Sequence, residues 1–152
     1  MKPTPFIAAA ILMTTLSAAR AGEPVETVRA FYTNVVSEVD PEFRSRFVNP
    51  AKAKFEENDK LLGDGEEVGC IDWVLSVDAQ DYDTTVLAKT LQLTEKKDGQ
   101  KATVTAKFDL FEDQPDSARE VVWSLEKVNG EWKVSDIASK TGGWKLSELK
   151  CQ

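Results

Sequence analysis

Histidine is absent from the 152 residues of this chain, and there are only two cysteines. Without histidine, a serine or cysteine nucleophile lacks the base that normally activates it, which argues against hydrolases built on such a pair. Two thiols alone also make a poor zinc site, since zinc usually takes four Cys or His ligands. A pair of carboxylates could still perform acid–base chemistry, but no spacing singles out two of them. We therefore expect no enzyme activity, no catalytic residues, no metal and no cofactor.

Long hydrophobic runs are also missing. The longest largely apolar stretch, Phe6 to Leu16, is shorter than the roughly 20 residues that a membrane-spanning helix needs. It follows Lys2 and precedes Ala19-Arg20-Ala21, a pattern typical of a secretory signal peptide, with an uncleaved anchor as the alternative. We predict a signal peptide over residues 1–21 and a single α+β domain over residues 22–152. The mature protein is then periplasmic or secreted, without stable membrane insertion.

Positive charge is scarce relative to negative charge. The chain has 19 Lys and Arg residues against 26 Asp and Glu residues, a net charge of −7. Removing the signal peptide takes away Lys2 and Arg20, so the net charge of the mature chain falls by two, to −9. This charge repels nucleic acid and anionic membranes and attracts a basic protein, although acidity also serves solubility. We predict no nucleic-acid partner, and a basic protein is the partner that the charge favours.

The two cysteines, Cys70 and Cys151, both lie in the mature chain. An even pair of thiols in an exported protein predicts a disulfide. This bridge would tie the end of the chain to the middle of the domain. Closing so long a loop stabilises a protein by roughly 4–5 kcal/mol in the chain-entropy model.

Helical patterns fill the first part of the mature chain. Apolar residues recur at helical spacing from Pro24 to Val39, where Asp40-Pro41 ends the pattern. Asn49-Pro50 is typical of the start of another helix, which is predicted to bury Phe55 and Leu62.

Two β-hairpins are predicted after the helices. In Arg119–Ile137 the turn is Asn129-Gly130, the strongest short-range hairpin signal that a sequence offers. With this turn, Trp123 lies opposite Asp136 on the face that also carries Leu125. The apolar face of the hairpin therefore carries one carboxylate.

The other hairpin pairs Thr85–Thr94 with Lys101–Glu112 through a turn at Asp98-Gly99. In this register Lys89 lies opposite Phe108, on the side that faces the core. A second charged group is thus predicted to point inward.

Four residues form the candidate binding pocket: Tyr82, Lys89, Trp123 and Asp136. Buried ionisable groups are costly unless paired, so Lys89 and Asp136 would pair with each other or with a ligand between aromatic walls. The simpler alternative places both charges at strand ends in contact with water, or lets Asp136 accept a hydrogen bond from the Trp123 indole.

Helices followed by a meander of strands with one apolar face predict an α+β fold. The N-terminal helices would pack on a curved, cone-like antiparallel sheet of about four strands. This order resembles the nuclear transport factor two-like (cystatin-like) fold, and the chain resembles bacterial envelope proteins of domain-of-unknown-function family 3828. The resemblance rests on Asp78-Ala79-Gln80-Asp81-Tyr82, on Trp132-Lys133-Val134-Ser135-Asp136-Ile137, and on Trp144 to Leu149 after them. It implies a fold and an envelope location, but no reaction.

Two functions fit these observations. The first is an exported soluble binding protein of the bacterial envelope, an inhibitor or immunity-like module that blocks a basic protein. The alternative is a cone that binds a small molecule in a pocket of the curved sheet. A deep cavity with a polar floor would favour the small molecule, and a filled core with an acidic face would favour the protein partner.

Overall fold

A computed structural model describes residues 22–33, 38–65 and 69–151. The predicted signal peptide, residues 1–21, lies outside the described residues, as do residues 34–37 of the first predicted helix. Over the described ranges, no helix combines the length and apolar character that crossing a membrane requires.

In the described ranges, three α-helices and a 3₁₀ helix precede the sheet: α1 (Pro24–Thr33), the 3₁₀ helix (Pro41–Arg46), α2 (Ala51–Gly63) and α3 (Thr84–Thr90). Helix α1 buries Val28, Phe31 and Tyr32, as its apolar stripe predicts.

The predicted burial of α2 is half right. Phe55 is fully buried, whereas Leu62 is 46% exposed, so its predicted burial is wrong. Leu62 lies in the last turn, where Gly63 and Asp64 are exposed as well. The helix therefore extends past the surface against which it packs.

The sheet has five antiparallel strands in sequential order: β1 (Gln92–Asp98), β2 (Lys101–Asp109), β3 (Ala118–Val128), β4 (Glu131–Ser139) and β5 (Trp144–Lys145). Helix α1 packs against β1, β2 and β4, and α2 packs against β4. The predicted α+β fold is confirmed. The short β5 adds a strand to the four predicted, and a second 3₁₀ helix (Leu146–Glu148) follows it.

The predicted strand Thr85–Thr94 is wrong in its first half, because Thr84–Thr90 is helix α3. Asp83 caps this helix: its carboxylate accepts hydrogen bonds from the amides of Thr85 at 2.8 Å and Val86 at 3.1 Å. The cap satisfies two amides that a helix start otherwise leaves unpaired, and it outweighs the strand preference of the threonines and valine.

The β1–β2 register also differs from the prediction. The ladder continues to Asp98 opposite Lys101, so Gly99-Gln100 is the turn, and Leu93 lies opposite Ala106. The shift from the predicted register is two residues. Because side chains alternate with a period of two, Leu93 still faces the core.

The β3–β4 turn is confirmed. Asn129 and Gly130 both have positive φ, at 51° and 85°, as a two-residue type I′ turn requires. Leu125 lies opposite Val134, but the ladder then shifts by one residue at a β-bulge. Beyond the bulge Trp123 lies opposite Ile137, so the predicted pairing of Trp123 with Asp136 is wrong.

Candidate functional site

Lys89 is not where the pocket hypothesis placed it. It lies in the last turn of α3, its side chain is 72% exposed, and its Nζ is 3.5 Å from Glu112 Oε1. The predicted core-facing position is wrong because residues 84–90 form a capped helix instead of a strand.

Asp136 lies opposite Ser124, on the face of β4 turned away from Trp123, because the β-bulge reverses the alternation. Asp136 is only 6% exposed, and its carboxylate accepts hydrogen bonds from the Ser147 amide at 3.1 Å and the Ser147 hydroxyl at 2.6 Å. Lys145 Nζ lies 3.5 Å away. The simpler alternative for Asp136 is therefore wrong as well, because its carboxylate is neither in contact with water at a strand end nor bonded to the Trp123 indole. Asp136 fastens the C-terminal segment to β4.

Trp123 is fully buried and fills the interior of the sheet. Its ring lies 4.9 Å from that of Phe31 and 6.0 Å from that of Tyr32, centroid to centroid. Its indole donates to the Tyr32 hydroxyl at 3.1 Å, which in turn donates to the Ser76 carbonyl at 2.8 Å. Aromatic packing therefore occupies the space beside Trp123 where a ligand was expected.

Tyr82 is half-buried at the edge of the core. Burial raises the pKa of its phenol, and the negative charge of Glu38 adds to that rise. The structure does not bring the four predicted pocket residues together, and a binding role for each of them stays a prediction.

A different segment has the character of a functional site. Between α2 and α3, residues 69–83 form neither helix nor strand, apart from one bridge between Val74 and Ala79. Irregular segments of this length are uncommon in compact domains, and those that occur are often functional. We call residues 69–83 the anchored loop, because buried side chains hold its backbone.

The first anchors come from the helical side. The Ile71 amide donates to Asn58 Oδ1 at 3.0 Å, and Asn58 is 1% exposed. The amides of Leu75 and Ser76 donate to the two carboxylate oxygens of Glu38, at 3.1 and 2.9 Å. Glu38 is also 1% exposed, and this burial raises the pKa of its carboxyl despite the hydrogen bonds.

Asp78 forms the second set of anchors, on the side of the sheet. Its carboxylate accepts hydrogen bonds of 2.5 Å from the Ser139 hydroxyl and the Trp144 indole, and Arg119 Nε lies 3.9 Å away. The backbone of Asp78 has φ 52°, a left-handed conformation that few residues other than glycine adopt. The surrounding contacts hold this conformation in place, as is common at functional sites.

The predicted disulfide between Cys70 and Cys151 is confirmed, with 4.9 Å between the two Cα atoms. It fixes the start of the anchored loop to the C-terminal segment. Across the described ranges, no three or more His, Cys, Asp and Glu side chains cluster as metal ligands would.

The outer side of the anchored loop forms an open cleft of about 430 Å³, lined by Val39, Ile71, Asp72, Trp73, Val74 and Gln80. We call it the Trp73 cleft. The half-buried Trp73 ring meets the Trp144 ring edge to face, with 5.5 Å between centroids. Asp72 is exposed, and its carboxylate has no hydrogen bond or ion pair to any residue that the structure describes. Apolar walls beside a free carboxylate provide binding contacts.

The sequence interpretation missed this site. Of the four predicted pocket residues, only Tyr82 lies in the anchored loop. The available signal was the absence of helical or strand periodicity over a long stretch that nevertheless contains buried-type residues.

No protein-family model matches the chain, and no curated protein matches it. The resemblance to family 3828 therefore stays a prediction. Among solved structures, a chain of the selenomethionine type VI effector–immunity complex Tae3–Tai3 from Ralstonia pickettii is similar, with a TM-score of 0.50 and 21% identity over 78% of this chain and 97% of that chain. The native crystal structure of the same complex gives a TM-score of 0.49 and 19% identity over 77% and 91%. This chain shares its fold with a component of an effector–immunity complex.

Proposed function

We propose that this chain is an exported protein-binding module of the immunity type, which inhibits a basic protein of the bacterial envelope by covering it. The observation that carries the proposal is the anchored loop, an irregular segment held on both sides by buried hydrogen bonds while its outer side stays open. A loop fixed in advance loses little conformational entropy on binding, which is how rigid inhibitors gain affinity.

The structural comparison supports a protein partner. The similar chain was solved within an effector–immunity complex, and the likeness covers 97% of that chain. We place this chain on the immunity side because it contains no histidine and because both of its cysteines are joined in a disulfide.

The same disulfide supports an envelope location. Such bridges persist in oxidising surroundings such as the periplasm, and the predicted signal peptide leads to the same place. The acidic composition supports a basic partner, because opposite charges accelerate association and favour the correct orientation.

The small-ligand alternative has no observation of this kind behind it. Trp123, Phe31 and Tyr32 pack together where its pocket was predicted. We therefore argue only the protein partner.

The test uses the mature protein, with its disulfide intact, as bait in envelope extract from its own organism at low and high salt. A retained protein is identified, purified and mixed with the bait, and both complex formation and loss of the partner's activity are measured. We expect a one-to-one complex whose affinity falls as salt is raised. If no envelope protein is retained at low salt, or if the purified partner stays fully active in the complex, the proposed function is wrong.

A further inference from the structure

We propose that the Trp73 cleft is the docking site for an arginine or lysine side chain that leads the contact loop of the partner protein. The inference rests on the proposed function for the existence of that partner. It adds the surface and the chemistry by which the partner is recognised.

The walls of the cleft suit the stem of a long basic side chain. Ile71 and Trp73 lie on the anchored loop, and Val39 closes the other side. Lysine and arginine stems pack along apolar surface while their charged heads stay in water. Trp73 adds an aromatic face, and tryptophan binds cations best among the aromatic residues.

The charge at the cleft suits the head of the same side chain. The Asp72 carboxylate lies at the cleft, exposed and without an ion pair among the described residues. Asp40 and Asp81, which follow the lining residues Val39 and Gln80, are exposed too. No lysine or arginine lines the cleft in the part of the chain that the structure describes.

A basic residue that contacts the lining residue Val39 is already engaged. Arg44 donates to the Val39 carbonyl at 3.0 Å and to Asp59 Oδ2 at 2.8 Å, and its side chain is 14% exposed. Its charge is therefore balanced by Asp59 and leaves Asp72 free. Because no positive charge among the described residues compensates Asp72, a basic side chain of the partner is the occupant that the cleft favours.

The anchors make the geometry of this cleft independent of the partner. Asn58 holds the amide of Ile71, and Glu38 holds the amides of Leu75 and Ser76, so both ends of the Asp72–Val74 segment are fixed. A carboxylate and an indole carried by one anchored backbone segment favour a side chain that carries a cation at the end of an apolar stem.

The first experiment needs no partner. The ¹⁵N-labelled mature protein is titrated with N-acetyl-arginine methylamide and, separately, with the neutral isostere N-acetyl-citrulline methylamide. The Trp73 indole N–H and the amides of residues 72–74 and 80 report binding by NMR. We expect saturable shifts at these positions with the arginine probe and much smaller shifts with the citrulline probe.

Matched variants locate the charge. Asp72→Asn and Glu131→Gln each remove one exposed carboxylate. Glu131 serves as the distant control, because it lies at the β3–β4 turn. Arg119 and Ser139, which contact the anchored loop, lie at the opposite end of that hairpin. We expect Asp72→Asn to weaken binding of the arginine probe by about threefold or more and Glu131→Gln to leave it unchanged. Equal shifts with the citrulline probe, or equal binding by wild type and Asp72→Asn, would overturn the inference.

The second experiment uses the partner obtained with the bait. The charge reversal Asp72→Lys should weaken that complex at least tenfold, and the reversal Glu131→Lys should change it by less than about twofold. If the partner binds Asp72→Lys as tightly as wild type, the docking site is wrong while the proposed function stands. If the arginine probe binds at Trp73 but no envelope partner exists, the proposed function is wrong while the recognition of a basic side chain stands.

Discussion

Replacing Asp136 by alanine tests whether one carboxylate fastens the C-terminal segment to the sheet. The carboxylate accepts two hydrogen bonds from Ser147, through its amide and its hydroxyl. A hydrogen bond to a charged group contributes about 1.5–3 kcal/mol, and these two are only partly buried, so we take the lower value for each. The ion pair with Lys145, whose side chain is 45% exposed, adds little. We expect Asp136→Ala to lower the free energy of unfolding by about 3 kcal/mol.

The assay is thermal unfolding followed by circular dichroism, under oxidising conditions that keep the disulfide closed. For a domain of this size each kcal/mol corresponds to about 3 °C, so the melting temperature should fall by about 9 °C. A double-mutant cycle with Ser147→Ala isolates the contact. Ser147→Ala removes only the hydroxyl hydrogen bond and keeps the amide one, whereas Asp136→Ala removes both. Because the hydroxyl bond is lost in either variant, their combined effect should be smaller than the sum of the single effects.

Two results would refute this reasoning. A loss below about 1 kcal/mol would mean that water replaces the carboxylate at little cost. Additive effects of Asp136→Ala and Ser147→Ala would mean that the two side chains act independently. If stability is unchanged but partner binding is lost, Asp136 contributes to binding and does not fasten the C-terminal segment.

Three further predictions concern Glu38, the disulfide and Lys89. Burial raises the pKa of Glu38 in the folded state, so protonation of Glu38 stabilises the fold below the ordinary glutamate pKa, and this stabilisation is lost as pH rises through the raised pKa. Glu38→Gln should therefore flatten the pH dependence of the unfolding free energy measured in urea. An unchanged pH profile would contradict the burial argument. Reducing the disulfide, or replacing Cys151 by serine, should lower the free energy of unfolding by about 4.5 kcal/mol in urea titrations, because the bridge joins residues 81 positions apart. A loss below about 1 kcal/mol would show that the unfolded chain is already constrained without the disulfide. Lys89→Ala should change the melting temperature by less than about 2 °C, because the ion pair of Lys89 with Glu112 is exposed. A large drop in melting temperature would instead indicate that Lys89 faces the core.

The features that the sequence predicted correctly are those set by neighbouring residues. Asn129-Gly130 defines its turn because both positions tolerate positive φ, and the helix that begins at Pro24 follows from apolar spacing. The wrong strand prediction over residues 85–90 has a local cause as well. The Asp83 cap turned a predicted strand into α3, and this cap was present in the sequence as an acidic residue before two threonines.

The remaining errors come from contacts between distant parts of the chain. The β-bulge that moves Asp136 to the other face of β4 has no signature in Trp132–Ile137, because its position depends on how the strand meets Ser147 and the core. The anchored loop was equally hidden, since Glu38 and Ser139 lie 38 and 61 positions away from the loop residues Ser76 and Asp78 that they hold. Such pairings cannot be derived from periodicity, which reports only local structure.

The disulfide has a practical consequence for every binding experiment on this protein. Cys151 is bonded to Cys70, which lies three residues before Trp73 in the anchored loop. A peptide fused after Cys151 therefore starts next to this part of the loop. A lysine-rich tag placed there would hold positive charge near Asp72 at high effective concentration and compete with the partner. Bait and probe proteins should therefore carry their tags at the mature N-terminus, and a comparison of the two tag positions would itself measure how strongly the cleft attracts a tethered cation.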